Sequence, residues 1–384
     1  MYQYMRGREH LVSLCMRNAA RRSLSFLVLL LIMTMLMCAN YKTSLQENAT
    51  ATSGIIVQAD DGSDSTWWRR YFCRKVSYGK DAISLPVLHR DVEPSAEDTN
   101  IFMLEMSCNP RPLYRSWCGL ESWALQNRRS AVWLVMLGTA VDPTGGLLLA
   151  LEHAYPNLHV VTVDLEWLFR DLPTKTLFSS GQWADSSWPA KSLSNMARLA
   201  LVWHYGGFYA DFDTVCLRQT EHLRNVVGSQ SANYVNNAIF HFDRHHPFVH
   251  QNMERQNISF NGALLNVNGV NIMSSTAKMA CNTTNFDELV AQSRGKCRSF
   301  TVLPQSAFYP VSWENWKDIF RLGAGPDLMK KLNSSFVLHA WNVFSAPYPV
   351  RVGRGALYDL VSSAYCPITK RRVVDEERVW YSPY

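Results

Sequence analysis

Residues Ser194–Arg218 read SNMARLALVWHYGGFYADFDTVCLR, and this stretch decides the fold. Met196, Leu199, Ala200 and Trp203 recur at i, i+3, i+4 and i+7, the apolar stripe of a helix packed on a sheet. Asn195 and Arg198 share another face of that helix. Gly206 and Gly207 follow the last periodic residue, where a helix commonly ends on a backbone conformation that glycine adopts cheaply. Phe208 to Val215 then reads as a strand, rich in aromatic and β-branched residues, with Asp211 and Asp213 directed to the same side. Two carboxylates so placed repel each other and gain little from a core. A hard divalent cation resolves the conflict, and a diphosphate is its natural third party. An Asp-x-Asp triplet alone more often marks a solvated loop; the preceding helix, the Gly-Gly turn and the flanking Phe208, Tyr209 and Phe212 favour the metal.

The surrounding pattern alternates strand and helix. IFMLEM from Ile101, a helical CGLESWALQNRR, the buried strand AVWLVML, a helix near residues 144 to 154 and then NLHVVTV follow in order. Such βαβα order predicts an α/β domain with a mostly parallel sheet covered on both faces. Ligands of open sheets of this kind sit beyond the carboxyl ends of the strands, where the triplet falls. The chain has 384 residues, 47% hydrophobic and 18% charged, ordinary globular chemistry. Its formal net charge of +6 suggests nucleic acid until it is located. Arg6, Arg8, Arg17, Arg21 and Arg22 against Glu9 give the first 22 residues +4, which leaves +2 for the rest and no basic stripe. No nucleic-acid partner is expected. There is no G-x-x-x-x-G-K-[ST], no G-x-G-x-x-G after a strand and no G-x-S-x-G elbow, which argues against an ATPase, a dinucleotide enzyme and a serine hydrolase.

The basic residues 1–22 read as a cytosolic tail, and the uncharged window 23–41 as a transmembrane signal-anchor. As a helix that window spans about 28 Å, enough for a thin bilayer. The arginines before it and the lone Lys42 after it put residues beyond 42 in the lumen of the secretory pathway. A cleaved signal peptide is the competing reading, disfavoured by the length of the apolar run and the lack of a small-x-small site. Residues 42–97 read as a stem, with WWRRYFC at 67–73 either docked on the domain or on lipid, and residues 98–384 as the luminal domain. Sequons at Asn48, Asn257, Asn282 and Asn333 all lie beyond the anchor. Of seven cysteines there, Cys281 and Cys297 are the first choice for a bridge, and Cys216 reads as a small buried hydrophobe; the odd count leaves at least one thiol without an intrachain partner.

The run from Ser194 through Asp213 resembles the Asp-x-Asp glycosyltransferases of family 32, and further segments resemble its α1,4-galactosyltransferase branch: IFMLEMS at 101–107, CGLESWA at 118–124, VDLEWLFRDLP at 163–173, VVGSQSANYVNNAIFHF at 226–242, LPQSAFYPVSWENWK at 303–317, HAWN at 339–342 and AYCP at 364–367. The resemblance implies a GT-A type, nucleotide-sugar-binding domain on a type II Golgi anchor, with manganese or another divalent cation as cofactor. It implies retaining α1,4-transfer of galactose or N-acetylgalactosamine, from UDP-galactose or UDP-N-acetylgalactosamine, to a glycolipid glycan. Homo- or hetero-oligomers in the Golgi membrane are compatible with it. Alternatives are an α1,4-N-acetylglucosaminyltransferase on glycoprotein glycans and, from another class, a catalytically silent Golgi glycan-binding or escort protein. By position, Asp211 and Asp213 would hold metal and diphosphate, with Asp213 the more direct ligand, Asn195 and Arg198 would bind donor sugar or ribose, His339 would complete the metal shell, and Asn342 would lie over the diphosphate. Trp313, Trp316 and Trp341 read first as packing residues and second as stacking surfaces for an acceptor. Three departures from the pattern surround these pockets: Asn195 for an aspartate, Asn237 for a glycine and Val270 for a proline.

Overall fold

The computed structural model describes residues 67–69, 73, 76–94, 100–376 and 379–380. The expected cytosolic tail, the signal-anchor, Asn48 and most of the first half of the stem lie outside the described residues. Among the described residues no helix is long and apolar enough to cross a membrane.

The strands are β1 (Ile83–Ser84), β2 (Val87–Leu88), β3 (Asn100–Glu105), β4 (Ala131–Met136), β5 (Ala140–Val141), β6 (Leu158–Val163), β7 (Gly207–Ala210), β8 (Thr214–Cys216), β9 (Val226–Ser231), β10 (Tyr234–Phe242), β11 (Thr301–Leu303) and β12 (Val337–His339). Eight of them form one mixed sheet in the order β11-β9-β10-β7-β3-β4-β6-β2. The run β7-β3-β4-β6-β2 is parallel and β11 is parallel to β9, whereas β10 is antiparallel to both neighbours. The mostly parallel expectation therefore holds for five pairings of seven, with one antiparallel strand beside the triplet.

Side-chain alternation divides the core in two. Ile101 and Met103 of β3 face one layer with Trp117, Leu120 and Trp123, while Phe102 and Leu104 face the other with Leu193, Met196 and Leu199. Both sheet faces are thus buried, as parallel strands demand. The first layer is the helix Tyr114–Gln126 and the second is the helix Pro189–Tyr205, both close to their expected places. Met196, Leu199 and Ala200 are buried as the stripe requires. The helix ends at Tyr205, and Gly206 and Gly207 carry φ of 67° and 111°.

Two expectations are corrected here. Phe208–Val215 is not one strand: β7 stops at Ala210, Asp211 to Thr214 makes a turn closed by Thr214 N–H on the Asp211 carbonyl, and β8 leaves to pair with β12. Like-charged neighbours are easier to seat on a turn than in a ladder, so the carboxylates escape the strand. Packed structure also begins before residue 98: β2 is the sheet's edge strand beside β6, Trp68 is buried, and Cys73 is bonded to Cys108. The polar composition of that segment hides its few anchoring residues. Trp67 and Trp68 dock on the domain, Trp67 against Phe178 at 5.7 Å. Cys281–Cys297 is bridged as expected, Cys118–Cys366 forms a third bridge, and Cys216 is free and buried.

Candidate active site

The triplet turn is held from three sides. Asp211 N–H donates to the Ala238 carbonyl of β10 at 2.8 Å, and Thr214 Oγ1 donates back to the Asp211 carbonyl at 2.6 Å while accepting from Trp123 Nε1 at 2.9 Å. Gly119 of the Tyr114–Gln126 helix makes the third approach possible: a Cβ there would lie 2.7 Å from the Phe212 carbonyl oxygen and 2.9 Å from that of Thr214. The register of β12 on β8 sets His339 opposite Thr214, beside Asp213. Two segments more than 120 residues apart thereby build one cluster.

Asp211, Asp213 and His339 offer ligand atoms that all lie within 4.8 Å of one another, and no other such group of three occurs among the described residues. His339 Nε2 stands 3.5 Å from Asp213 Oδ1, and Asp213 Oδ2 accepts from the Asn342 backbone N–H at 2.7 Å. Asp213's own carbonyl accepts from Ala340 N–H at 2.7 Å, so the aspartate ties down residues 339–342 at two points. Two carboxylates and an imidazole are a donor set for a divalent cation. The Trp341 N–H donates to His339 Nδ1 at 3.1 Å, which puts the neutral ring's proton on Nε2. Coordination through Nε2 would need that lone pair, so with a bound cation the ring proton would sit on Nδ1 and the Trp341 N–H would lose its acceptor. Trp341 sits at φ 56°, a costly backbone for a non-glycine residue.

Arg198 is the other half of the site. Only its edge meets solvent, yet its Nη1 reaches Asp211 Oδ1 at 3.2 Å and donates to the Asn237 carbonyl at 2.6 Å, its Nη2 donates to Ser194 Oγ at 2.9 Å, and its plane lies 4.3 Å from the Tyr209 ring. Tyr209 donates its hydroxyl to the same Asp211 oxygen. Burial pushes that hydroxyl far above the ordinary tyrosine range, despite the nearby guanidinium, and it stays a donor. Asp211 is thus engaged by the protein on one oxygen, while Asp213 faces the cluster.

The remaining expected residues occupy different positions. Asn195 is buried and its Oδ1 accepts from Asn237 Nδ2 at 2.8 Å. Gly269 packs against both amides, where a Cβ would stand 2.6 Å from Asn237 Nδ2 and 2.8 Å from Asn195 Oδ1. Asn342 comes to the cluster through its backbone, and its side-chain Oδ1 turns to Arg115 Nη1 at 3.4 Å. Trp341 is core, donating from Nε1 to the Val311 carbonyl, whereas Trp313 is exposed. Two residues that sequence reasoning missed belong here. Lys191 keeps contact with solvent one turn before Asn195; the packing around it lowers its pKa, while Asp211 and Asp213 raise it. Its i, i+4, i+7 spacing to Asn195 and Arg198 was the available signal. Buried Arg115 bonds the Ser345 carbonyl at 2.9 Å and the Tyr348 carbonyl, fixing the segment after Asn342. Nothing local in the sequence marks that pairing.

Residues 115–233 match the glycosyltransferase sugar-binding region containing the DXD motif, and residues 241–373 match the alpha 1,4-glycosyltransferase conserved region. The chain belongs to the α1,4-glycosyltransferase family, and it is a hexosyltransferase built on a mixed sheet. It is 32% identical over 297 residues to the human lactosylceramide 4-alpha-galactosyltransferase, which covers 75% of this chain and 81% of that protein. It is 28% identical to the human alpha-1,4-N-acetylglucosaminyltransferase, over 71% of this chain and 80% of that one. Among solved structures it is similar to the PaToxG glycosyltransferase at 13% identity and a TM-score of 0.38, over 51% of this chain and 74% of that one.

Proposed function

We propose that this chain is a retaining α1,4-glycosyltransferase that moves galactose or N-acetylgalactosamine from its UDP donor to the glycan of a glycolipid, in the Golgi lumen, from a type II membrane anchor at residues 23–41. The observation that carries the reading is the convergence of Asp211, Asp213 and His339 from two separate segments. These three residues would hold a divalent cation, manganese in the first instance. Such an ion supplies positive charge where the departing diphosphate becomes negative.

The protein's own groups set the geometry. Arg198 and Tyr209 fix one oxygen of Asp211, leaving its other oxygen for the ion. Asp213, tethered by Asn342 and Ala340, holds residues 339–342 over the same place. Arg198 and Lys191 put two cationic side chains on the helix face beside the carboxylates, suited to an anionic donor. The glycolipid acceptor is supported by the name of the galactosyltransferase relative, and the second reading, an α1,4-N-acetylglucosaminyltransferase on glycoproteins, by that of the other.

The test is a donor screen with UDP-galactose, UDP-N-acetylgalactosamine and UDP-N-acetylglucosamine, each with manganese and with glycolipid and glycoprotein acceptors side by side. Transfer of one of the first two sugars to glycolipid, lost in Asp213→Ala with folding intact, is the expected result. Transfer only from UDP-N-acetylglucosamine to glycoprotein establishes the second reading. A folded chain that binds no UDP-sugar sinks both.

A further inference from the structure

Most large apolar side chains on this surface stand apart, but five of the twelve exposed ones among the described residues fall within 313–348: Trp313, Leu322, Val343, Phe344 and Tyr348. They are not scattered in space. Trp313 stacks on Phe344 with ring centroids 5.9 Å apart, and Tyr348 meets Trp316 at 5.7 Å and Phe320 at 5.8 Å. Trp313 and Phe344 are 41% and 42% exposed even in mutual contact, so their outer faces have no protein cover. A patch of this kind marks a binding surface more often than chance exposure does.

Its place narrows the occupant. Val343 and Phe344 directly follow Asn342, whose N–H holds Asp213, so the shelf is continuous with the carboxylate cluster. It is also preorganised: buried Arg115 bonds the Ser345 and Tyr348 carbonyls and lies 4.7 Å from the Phe320 ring. Whatever covers the shelf arrives with the molecule that reacts at the cluster. The donor's uracil can stack on a single ring, but its diphosphate and sugar leave an apolar shelf of this extent uncovered. An acceptor joined to hydrocarbon does. Exposed Lys317, Arg351 and Arg354 lie along the same segments, and Arg354 is tied to the Leu322 side through Gly323 N–H on its carbonyl. Lys317 Nζ lies 5.8 Å from the Trp316 ring, with one exposed acid, Glu314, nearby in sequence, and a lysine beside exposed aromatics matches the phosphate level of a bilayer.

We infer that the Trp313–Phe344 shelf is the seat of the apolar aglycone of the acceptor, and that it takes the first hydrocarbon segment of a lipid-linked glycan while the bilayer surface meets Lys317, Arg351 and Arg354. The inference rests on the glycolipid reading above and adds the surface by which lipid is recognised. It separates two jobs in one protein: residues 211, 213 and 339 act on the sugar, and residues 313 and 344 choose what the acceptor sugar is attached to.

The experiment compares the full chain with its Trp313→Ser/Phe344→Ser variant on one glycan in two forms, as a glycolipid in phosphatidylcholine vesicles and as the free oligosaccharide. The variant is expected to raise KM for the vesicle-borne acceptor roughly tenfold or more, with KM for the free glycan and for the donor within about twofold and the melting temperature unchanged. Equal loss on both acceptors, or loss on neither, overturns the inference. A second measurement needs no turnover. Vesicles whose glycolipid carries a brominated chain should quench Trp313, seen as a larger bromine-dependent loss of emission in the full chain than in Trp313→Phe, and equal losses overturn the inference as well. If the unaltered chain transfers to no glycolipid, the acceptor reading fails, and the quenching result alone then decides whether the shelf holds lipid.

Discussion

Asp211 and Asp213 look equivalent in the triplet, but their surroundings predict unequal effects of neutralising them. In Asp211→Asn the buried Arg198 loses its carboxylate. At 3.2 Å and an effective dielectric of about 20, the gross attraction is about 5 kcal/mol. Arg198 keeps its bonds to Ser194 and Asn237 and the Tyr209 face, and the Asp211 side chain is 29% exposed, so the net cost shrinks to about 1–2 kcal/mol. In Asp213→Asn the Asn342 N–H still finds an oxygen at the same place, and the loss of charge on that 2.7 Å bond costs about 1 kcal/mol. Relief of repulsion from Asp211 offsets much of it. Cation affinity runs the other way, because Asp213 is the carboxylate that no arginine engages. The assay is thermal unfolding of the purified chain in chelator, followed by manganese titration calorimetry. Asp211→Asn should melt several degrees lower, on the order of 2–4 °C per kcal/mol, while Asp213→Asn should stay near the parent yet lose more than roughly tenfold in manganese affinity. Equal melting losses, or an Asp213→Asn protein that still binds manganese like the parent, would refute the division of labour.

Four further outcomes follow from the same geometry. His241 is buried against Phe208 and faced by two donors, Arg224 Nη1 and Asn225 N–H, and burial followed by the Arg224 charge pushes its pKa down to about 4. Between pH 4 and the unfolded value near 6.5 the unfolded chain binds more protons, so this contribution is complete above about pH 6.5 and is lost as pH falls; at pH 5.5 the loss is about 1.4 kcal/mol, and His241→Gln should remove that part of the pH dependence. Magnesium, being diamagnetic, should shift the Trp341 amide in a ¹⁵N spectrum as His339 Nδ1 ceases to accept from it; an unmoved amide places His339 outside the shell. In the chain-entropy account, Cys118–Cys366 with a separation of 248 is worth about 5 kcal/mol and Cys281–Cys297 with a separation of 16 about 3, so the first double alanine variant should melt lower than the second, and the reverse order contradicts the account. Finally, a double-mutant cycle on Asn195→Ala and Asn237→Ala should give a coupling of about 1 kcal/mol, since one amide loses its partner in either single variant; additive losses would show that the 2.8 Å contact contributes nothing.

The alternation of strand and helix was legible because each parallel strand writes a short unbroken apolar run and each covering helix a 3.6 period, and β3, β4, β6 and the Pro189–Tyr205 helix all fall where those patterns put them. The triplet's division into β7 and β8 was not, because Phe208 to Val215 keeps strand-like composition throughout; only the pairing of β8 with β12 ends it. Burial of Trp68 and the short strands β1 and β2 is likewise set by partners far along the chain, against a polar local composition. At the site, the two aspartates stand two residues apart in sequence and announced themselves. His339 entered only through the resemblance, since its position beside Asp213 is a product of strand register. Arg115, which secures the segment bearing Phe344, had no signal of its own.

The three departures from the family pattern take on a different meaning once they are seen together. Asn195, Asn237 and Val270 lie far apart in sequence, and singly each reads as a loosened donor pocket. The structure joins the first two by a hydrogen bond and lays Gly269, the residue before Val270, against that bond too closely for any side chain. Gln256 Nε2 then donates to the carbonyls of both Asn195 and Asn268, tying the helix to this same turn. An aspartate at 195 carries a charge that a nearby cation or sugar hydroxyl must answer, whereas the asparagine is answered by the amide of Asn237. The changes therefore form one substitution in physical terms: a charge is removed at 195, and the space at 237 is used to satisfy the amide that replaces it. The ion pair of Asp211 with Arg198 is held by other atoms, so the helix face beside it can exchange charge for an amide pair without disturbing the carboxylates. Altered sugar choice with intact metal binding is the consequence such an arrangement permits, and the two single reversions probe it differently: Asn237→Gly strands the Asn195 amide oxygen, whereas Asn195→Asp keeps an acceptor for Asn237 Nδ2 and restores the charge.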